Sequence, residues 1–377
     1  GKSVALQELC GSLCGAGARV VVIDDGRSFE HSAKLQGGAF VEFTMSSGFC
    51  LNPFSMIDEA QAAEDEDYLL DCMAMLKAII NQMSRHINLL DDTERGLIDG
   101  AVNQVWEAHG SRGSIDLVIE ALEATGNGLA ANLAIAMRPF SSGGTYGRFF
   151  QGEVSFELSA QLTVFELSDL SAREELRSVV LTAIMFMSQQ MMRKLDRSIP
   201  KALLLDEAWQ MLRGGAMADF IETYARTCRK YGASLVTATQ SLNDYYKSAG
   251  SVAALENSDW FVILQQKPET IADFKKHDRF EMDDHTDALL RSLKRNGFEY
   301  SDIMIKGPDT LAVGRLVLDP YSAALFSSSP KTFAAIDALI AEGLSMDEAI
   351  ERIAFPNNPE KWVSNLVPED EIAIAAE

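Results

Sequence analysis

Two short runs constrain this chain more than any other feature: Val20-Val21-Val22-Ile23 and Ala202-Leu203-Leu204-Leu205 are continuously apolar, and each is closed by a pair of acids, Asp24-Asp25 and Asp206-Glu207. A strand with one wet face alternates apolar and polar residues. A run without alternation fits a strand covered on both faces, the habit of parallel sheets flanked by helices. Further strand candidates are Ala39–Phe43, Val154–Leu158, Leu162–Leu167, Leu235–Ala238 and Trp260–Leu264. Helical stretches alternate with them: one ends at Gly15 and Gly17, one spans Ala172–Leu195 with Leu176, Val180, Ile184, Met187 and Met191 on one face, and one spans Met217–Tyr231. The alternation predicts an α/β fold whose mostly parallel sheet is joined by right-handed crossovers.

Residues 1–54 read as the first part of this α/β domain. From 55 to 140 no convincing β-run occurs, and Tyr68–Met83, Asp92–Ala108 and Ser114–Ala124 read as helices, so an all-helical insertion is expected. The glycine-rich Ser141–Gly147 marks the return to a second α/β part over 141–320, which closes with a hairpin, Tyr300–Ile305 and Leu311–Leu318, at the sheet edge. A C-terminal helical tail covers 321–377, with Lys331–Ala341 and Ser345–Ile353 as its amphipathic unit. At 377 residues the core needs no disulfide or metal staple, and the five cysteines form no CxxC pair. Cys10 and Cys14, at i and i+4, read as small apolar helix residues. No apolar run approaches bilayer length, which leads to the expectation of a soluble, cytoplasmic chain.

Gly1-Lys2-Ser3 matches the last three positions of the phosphate-binding loop GxxxxGK[ST] and directly opens a helix, where backbone N–H groups and the positive helix end hold anions. The upstream half of that loop is missing, so the chain is expected to be a fragment. Asp206, at the C-terminal end of its strand, is the candidate for holding the water shell of Mg²⁺, and Glu207 for polarising an attacking water. Gln240 follows Leu235–Ala238 and is placed to donate to a γ-phosphate or orient that water. Arg226 and Arg229 are candidates for reaching a neighbouring subunit's γ-phosphate, against the plainer reading of a solvated helix face. The five scattered histidines form no HExxH or HxH, which argues against a metal held by protein ligands alone. With 55 acidic against 33 basic residues the formal charge is −22, and no dense basic cluster offsets it, so broad nonspecific nucleic-acid binding is disfavoured.

The order of parts, with an intervening strand at Leu162–Leu167 before the acid-tipped strand, resembles the RecA-like branch of P-loop ATPases. The ordered set Gly1-Lys2-Ser3, Val22–Ser28, Gly37-Gly38, Leu51-Asn52-Pro53-Phe54, Leu205–Trp209, Ala225–Gly232, Ala238-Thr239-Gln240-Ser241 and Gly314–Pro320 is similar to the C-terminal ATPase domain of TraC-like conjugative-transfer ATPases, the VirB-type motors of type IV secretion systems. That resemblance implies a RecA-like P-loop domain with an all-α insertion, Mg²⁺-dependent ATP hydrolysis and a homo-hexamer. It also implies attachment to the cytoplasmic side of the inner membrane through other secretion components, and a role in pilus assembly and substrate or DNA transfer. On the matching positions, Gly1, Lys2 and Ser3 hold nucleotide, Ser3 and Asp206 hold Mg²⁺ partly through water, Glu207 is the general base, Gln240 the sensor, and Arg226 or Arg229 the trans finger. Two other readings compete: a DNA-translocating coupling protein of the same superfamily, which wants a basic pore, and a non-hydrolysing scaffold subunit.

Overall fold

The computed structural model describes residues 1–85, 90–155, 158–207, 217–277, 283–296 and 299–357. Helix α1 (Lys2–Gly15) ends ahead of Gly17, whose φ of +81° favours glycine, and the chain turns into β1 (Arg19–Asp24). Helix α2 (Glu30–Leu35) leads to β2 (Ala39–Glu42). The remaining strands of the first sheet are β3 (Leu162–Glu166), β4 (Lys201–Leu205) and β5 (Ala233–Thr237). They lie in the order β2-β3-β1-β4-β5, and every neighbouring pair is parallel.

Both faces of this sheet are covered, which explains the absence of alternation in the sequence. Val20, Val22, Leu162, Val164, Ala202 and Leu204 pack with Leu6 and Cys10 of α1 and with Phe29 and Ala33. Val21, Ile23, Phe165, Leu203 and Leu205 face the other way, into the large core formed with the helices on that side. The principal helix there is α8 (Glu174–Lys194), buried over most of its circumference rather than along a single stripe, because it lies between the sheet and the helical insertion.

The insertion comprises α3 (Glu59–Glu64), α4 (Glu66–Ser84), α5 (Asp92–His109), α6 (Ile115–Ala124) and α7 (Gly128–Met137), and no strand occurs among the described residues between Glu42 and Leu162. Side-chain caps start all five, from Asp58, Asp65, Asp91, Ser114 and Asn127. The strand expected at Val154–Leu158 is not formed by Val154, Ser155 or Leu158; Phe156 and Glu157 lie outside the described residues. The backbone N–H groups of Val154 and Ser155 bond to Ser55 Oγ and Cys50 O, so a loop takes the place of a ladder.

Helix α9 (Met217–Lys230) precedes β5. After α10 (Ala249–Glu256), the run expected to extend the parallel sheet forms β6 (Phe261–Ile263), which belongs to a second sheet. It pairs antiparallel with β8 (Tyr300–Gly307), as do β7 (Arg295–Asn296) and β9 (Thr310–Leu316). The expected hairpin is therefore present, turning at Pro308-Asp309, but within a sheet of its own. The reason is a separate core: Ile263 and Met304 pack with Ile271 and Phe274 of α11 (Pro268–Lys276) and Leu290 of α12 (Asp284–Ser292). Finally α13 (Pro320–Leu325), α14 (Pro330–Ala341) and α15 (Met346–Ala354) form a cluster against Val4 and Leu35. Residues 358–377 of the expected tail lie outside the described residues.

Candidate nucleotide site

Parallel strands all end on one side of their sheet, and there the register collects carboxylates. Glu42 of β2 pairs with Glu166 of β3, Glu166 with Asp24 of β1, and Ile23 with Leu205, so Asp206 continues the same row. Crevices beyond the carboxyl ends of such strands are where open α/β sheets bind ligands. The row is held by backbone. Asp206 N–H donates to Ile23 O at 2.9 Å, and Ala238 N–H to Leu205 O at 2.9 Å.

The opening helix reaches this row. Lys2 Nζ lies 2.5 Å from Asp206 Oδ1 and also contacts Glu207 Oε1, with side-chain exposures of 19% for Lys2, 6% for Asp206 and 11% for Glu207. Burial pulls the Lys2 pKa down, but the two carboxylates overcome that and hold it above its ordinary value. Gln240 Nε2 donates to the same Glu207 oxygen at 2.9 Å, and Glu207 N–H donates to Asp206 Oδ1 at 2.8 Å. Glu207 has φ +51°, a left-handed conformation uncommon outside glycine, at the point where the strand ends and the acid turns toward Lys2. The turn that presents Gln240 is fixed by Thr239 Oγ1 and Ser241 N–H, which both donate to buried Asp244.

Four of the residues singled out from sequence thus meet: Lys2, Asp206, Glu207 and Gln240. Gly1 stands at the N-cap of α1, whose start has no side-chain cap and no acid in its first turn, and Ser3 is half-buried in that turn. This helix start is left free of competing carboxylates of its own. Arg229 is elsewhere. It is 77% exposed, pairs with Asp259, and lies in the last turn of α9, just before β5 begins, at the opposite end of the sheet from Lys2. A crossover helix runs back antiparallel to its strands, so its C-terminal turn cannot serve the site at the strand ends of its own chain. Arg226 is in the same helix, but its side chain, like residues Ala208 and Trp209, is outside what the structure describes. In space β4 neighbours β1 and β5, whereas Leu162–Glu166 lies beyond β1.

Sequence reasoning gave no role to the acids beside the site. Asp24 is fully buried, accepts from Ser28 Oγ at 2.9 Å and Phe29 N–H at 3.0 Å, and has its pKa raised to about 7 by burial and by Glu166. Glu166 accepts from the N–H groups of Gly26, Arg27 and Ser168, holding the loop after β1. Asp25 pairs with buried Arg177 of α8 at 2.7 Å. The available signal was that β1, β2 and β3 each end in an acid and β4 runs straight into Asp206.

The donor set suits Mg²⁺ by its chemistry. Hard carboxylate oxygens of Asp206 and Glu207 already gather a cation, the Lys2 ammonium, and hard oxygen is what Mg²⁺ takes. Among the described residues no group of three or more His, Cys, Asp or Glu is arranged to hold a metal by itself. Mg²⁺ commonly completes its shell with water and substrate phosphate, so Asp206 fits it as a partial ligand, with the Glu207 carboxylate beside it. No described helix is long and apolar enough to cross a membrane.

Residues 126–356, which include Asp206, Glu207 and Gln240, match the TraG P-loop domain family. The chain is 26% identical over 386 residues to Protein TraC of Escherichia coli K12, covering 97% of this chain and 42% of that protein; the chain spans about two fifths of its curated relative's length. The structure of VirB4 of Thermoanaerobacter pseudethanolicus superposes with a TM-score of 0.68 at 18% identity, over 85% of this chain and 87% of that one. Plasmid coupling protein TrwB in complex with ADP and Mg²⁺ superposes with a TM-score of 0.56 at 13% identity, over 84% and 82%. The shared fold is the RecA-like α/β arrangement.

Proposed function

Since the chain belongs to the TraG P-loop domain family and is a TraC- and VirB4-like member of the conjugative type IV secretion ATPases, we propose that it hydrolyses ATP to power pilus assembly and substrate or DNA transfer. The observation that carries this reading is the convergence of Lys2 and Gln240 on Asp206 and Glu207. Lys2 and the uncapped start of α1 bind the terminal phosphates, the lysine as a point charge and the helix through its N–H groups. Ser3 and Asp206 would hold Mg²⁺, which would supply positive charge against the phosphates. Glu207 accepts the proton of the attacking water, and Gln240, hydrogen-bonded to Glu207, orients it.

The same reading takes the chain as a homo-hexamer with its cleft between subunits, Arg229 or Arg226 acting on the neighbour's nucleotide from the far end of α9. It places the ring at the cytoplasmic side of the inner membrane, docked through other secretion components, and divides the chain into α/β parts at 1–54 and 141–320, a helical insertion at 55–140 and a tail at 321–377. A net charge of −22 supports this over a DNA pump.

Phosphate release and nucleotide binding, measured side by side, test the proposal. Lys2→Ala is expected to lose nucleotide affinity. Glu207→Gln is expected to keep binding and lose about 10²-fold or more in turnover, the scale of a removed general base. Equal turnover in wild type and both variants overturns the mechanism.

A further inference from the structure

The Lys2 ammonium occupies the Asp206 carboxylate that a Mg²⁺ ion would need. Lys2 Nζ sits on Asp206 Oδ1 and Glu207 Oε1, and Gln240 Nε2 and the Glu207 N–H close in on the same two atoms. An ammonium has three donors, and two are engaged here. A nucleotide arriving without a metal must therefore win Lys2 from two carboxylates while bringing its own negative charge up to them. One arriving with a divalent cation meets less opposition, since the cation satisfies the Asp206 carboxylate that Lys2 leaves and offsets the charge of Glu207.

Resting on the nucleotide-site reading above, we propose that Lys2 is an internal plug: braced by Glu207, it fills the cation position at Asp206 until nucleotide and divalent metal enter together. The plug keeps the free site charge-compensated and closed to either ligand alone. It makes metal and nucleotide mutually dependent through one side chain that both must move, a coupling that is reciprocal by thermodynamic necessity.

Two binding measurements test this without relying on turnover. Mn²⁺ binding to the nucleotide-free protein, followed by electron paramagnetic resonance, is expected to be weak in wild type. It should tighten by about tenfold or more in Lys2→Met and in Lys2→Gln, and stay weak in Lys2→Arg, which restores the charge. A fluorescent ADP, titrated in chelator and in Mg²⁺, should bind wild type at least about tenfold more weakly in chelator. Glu207→Gln should narrow that gap by strengthening metal-free binding, whereas Glu42→Gln, in the same carboxylate row but without contact to Lys2, should leave it unchanged.

The plug is overturned if neither Lys2→Met nor Lys2→Gln gains Mn²⁺ affinity. It is equally overturned if wild type binds ADP as well in chelator as in Mg²⁺, or if Glu42→Gln narrows the gap as much as Glu207→Gln does. A wild type that binds no ADP even in Mg²⁺ instead defeats the underlying nucleotide-site reading. That outcome is distinct, because the plug alone fails when ADP binds and these differences vanish.

Discussion

The two sheets of this protein solve opposite problems. In the parallel sheet, β1, β3 and β4 are buried almost throughout, and adjacent residues of β1 feed different cores. In the antiparallel sheet, β9 is exposed along nearly its whole length; Val262 and Val313 face outward at 45–56% exposure, and the flanking Trp260 and Val317 are exposed at 61–63%. The parallel sheet therefore has little freedom at its strand ends, and those ends carry Asp24, Glu166, Asp206 and Glu207. The antiparallel sheet rests on one small core and presents surface. The candidate site lies where both faces are covered, because only there is the position of a strand terminus fixed by packing from two sides.

The largest effect on the parallel sheet is expected from Leu204→Ala. Leu204 is fully buried between β1, β5 and the cluster under α1, so about 2–5 kcal/mol of stability should be lost in chemical denaturation. A cost near zero would mean that the sheet is not the rigid partner.

Asp24→Asn probes the electrostatics of the same edge. With a pKa raised from 3.8 to about 7 by burial and by Glu166, Asp24 keeps its proton in the fold after the unfolded chain has released it. Its contribution is thus fully present below about pH 4 and is lost as pH rises toward 7. The variant should show a smaller fall in melting temperature across that interval, and an unchanged slope would show that Asp24 does not titrate there. The smallest effect is expected at Val313→Ser on β9, where 45% exposure predicts a change within about 0.5–1 kcal/mol by the same denaturation measurement. A loss comparable to that of Leu204→Ala would mean that the two sheets are alike.

Much of the parallel sheet was legible because its physics is local. Unbroken apolar runs such as Val20–Ile23 and Ala202–Leu205 announce coverage on two faces, and an acid at a strand's end marks the ligand edge. The meeting of Lys2 with Asp206 followed from the loop motif and the strand order. What stayed hidden depended on partners. Phe261–Ile263 reads like any buried strand, and only its ladder with β8 places it in the second sheet. Val154 and Ser155 have strand-like neighbours, but their backbone is taken by Cys50 and Ser55, about 100 positions away. The row formed by Glu42, Glu166 and Asp24 is a product of register, which no linear spacing reveals. Arg229, read from the sequence as reaching a neighbouring subunit, lies at the other end of the sheet from Lys2, because a crossover helix reverses direction before its strand begins.

The join between the helical insertion and α8 has a mechanical consequence. Tyr68, with its hydroxyl donating to Gln190 and accepting from the Asp58 N–H, is fully buried, and Gln190 in turn donates to Cys72. Sliding α4 past α8 would strand all of these groups away from water, at about 1–3 kcal/mol for each one left unsatisfied. Force applied to the outer helices is accordingly delivered to the layer behind Asp206 instead of being absorbed at a soft seam.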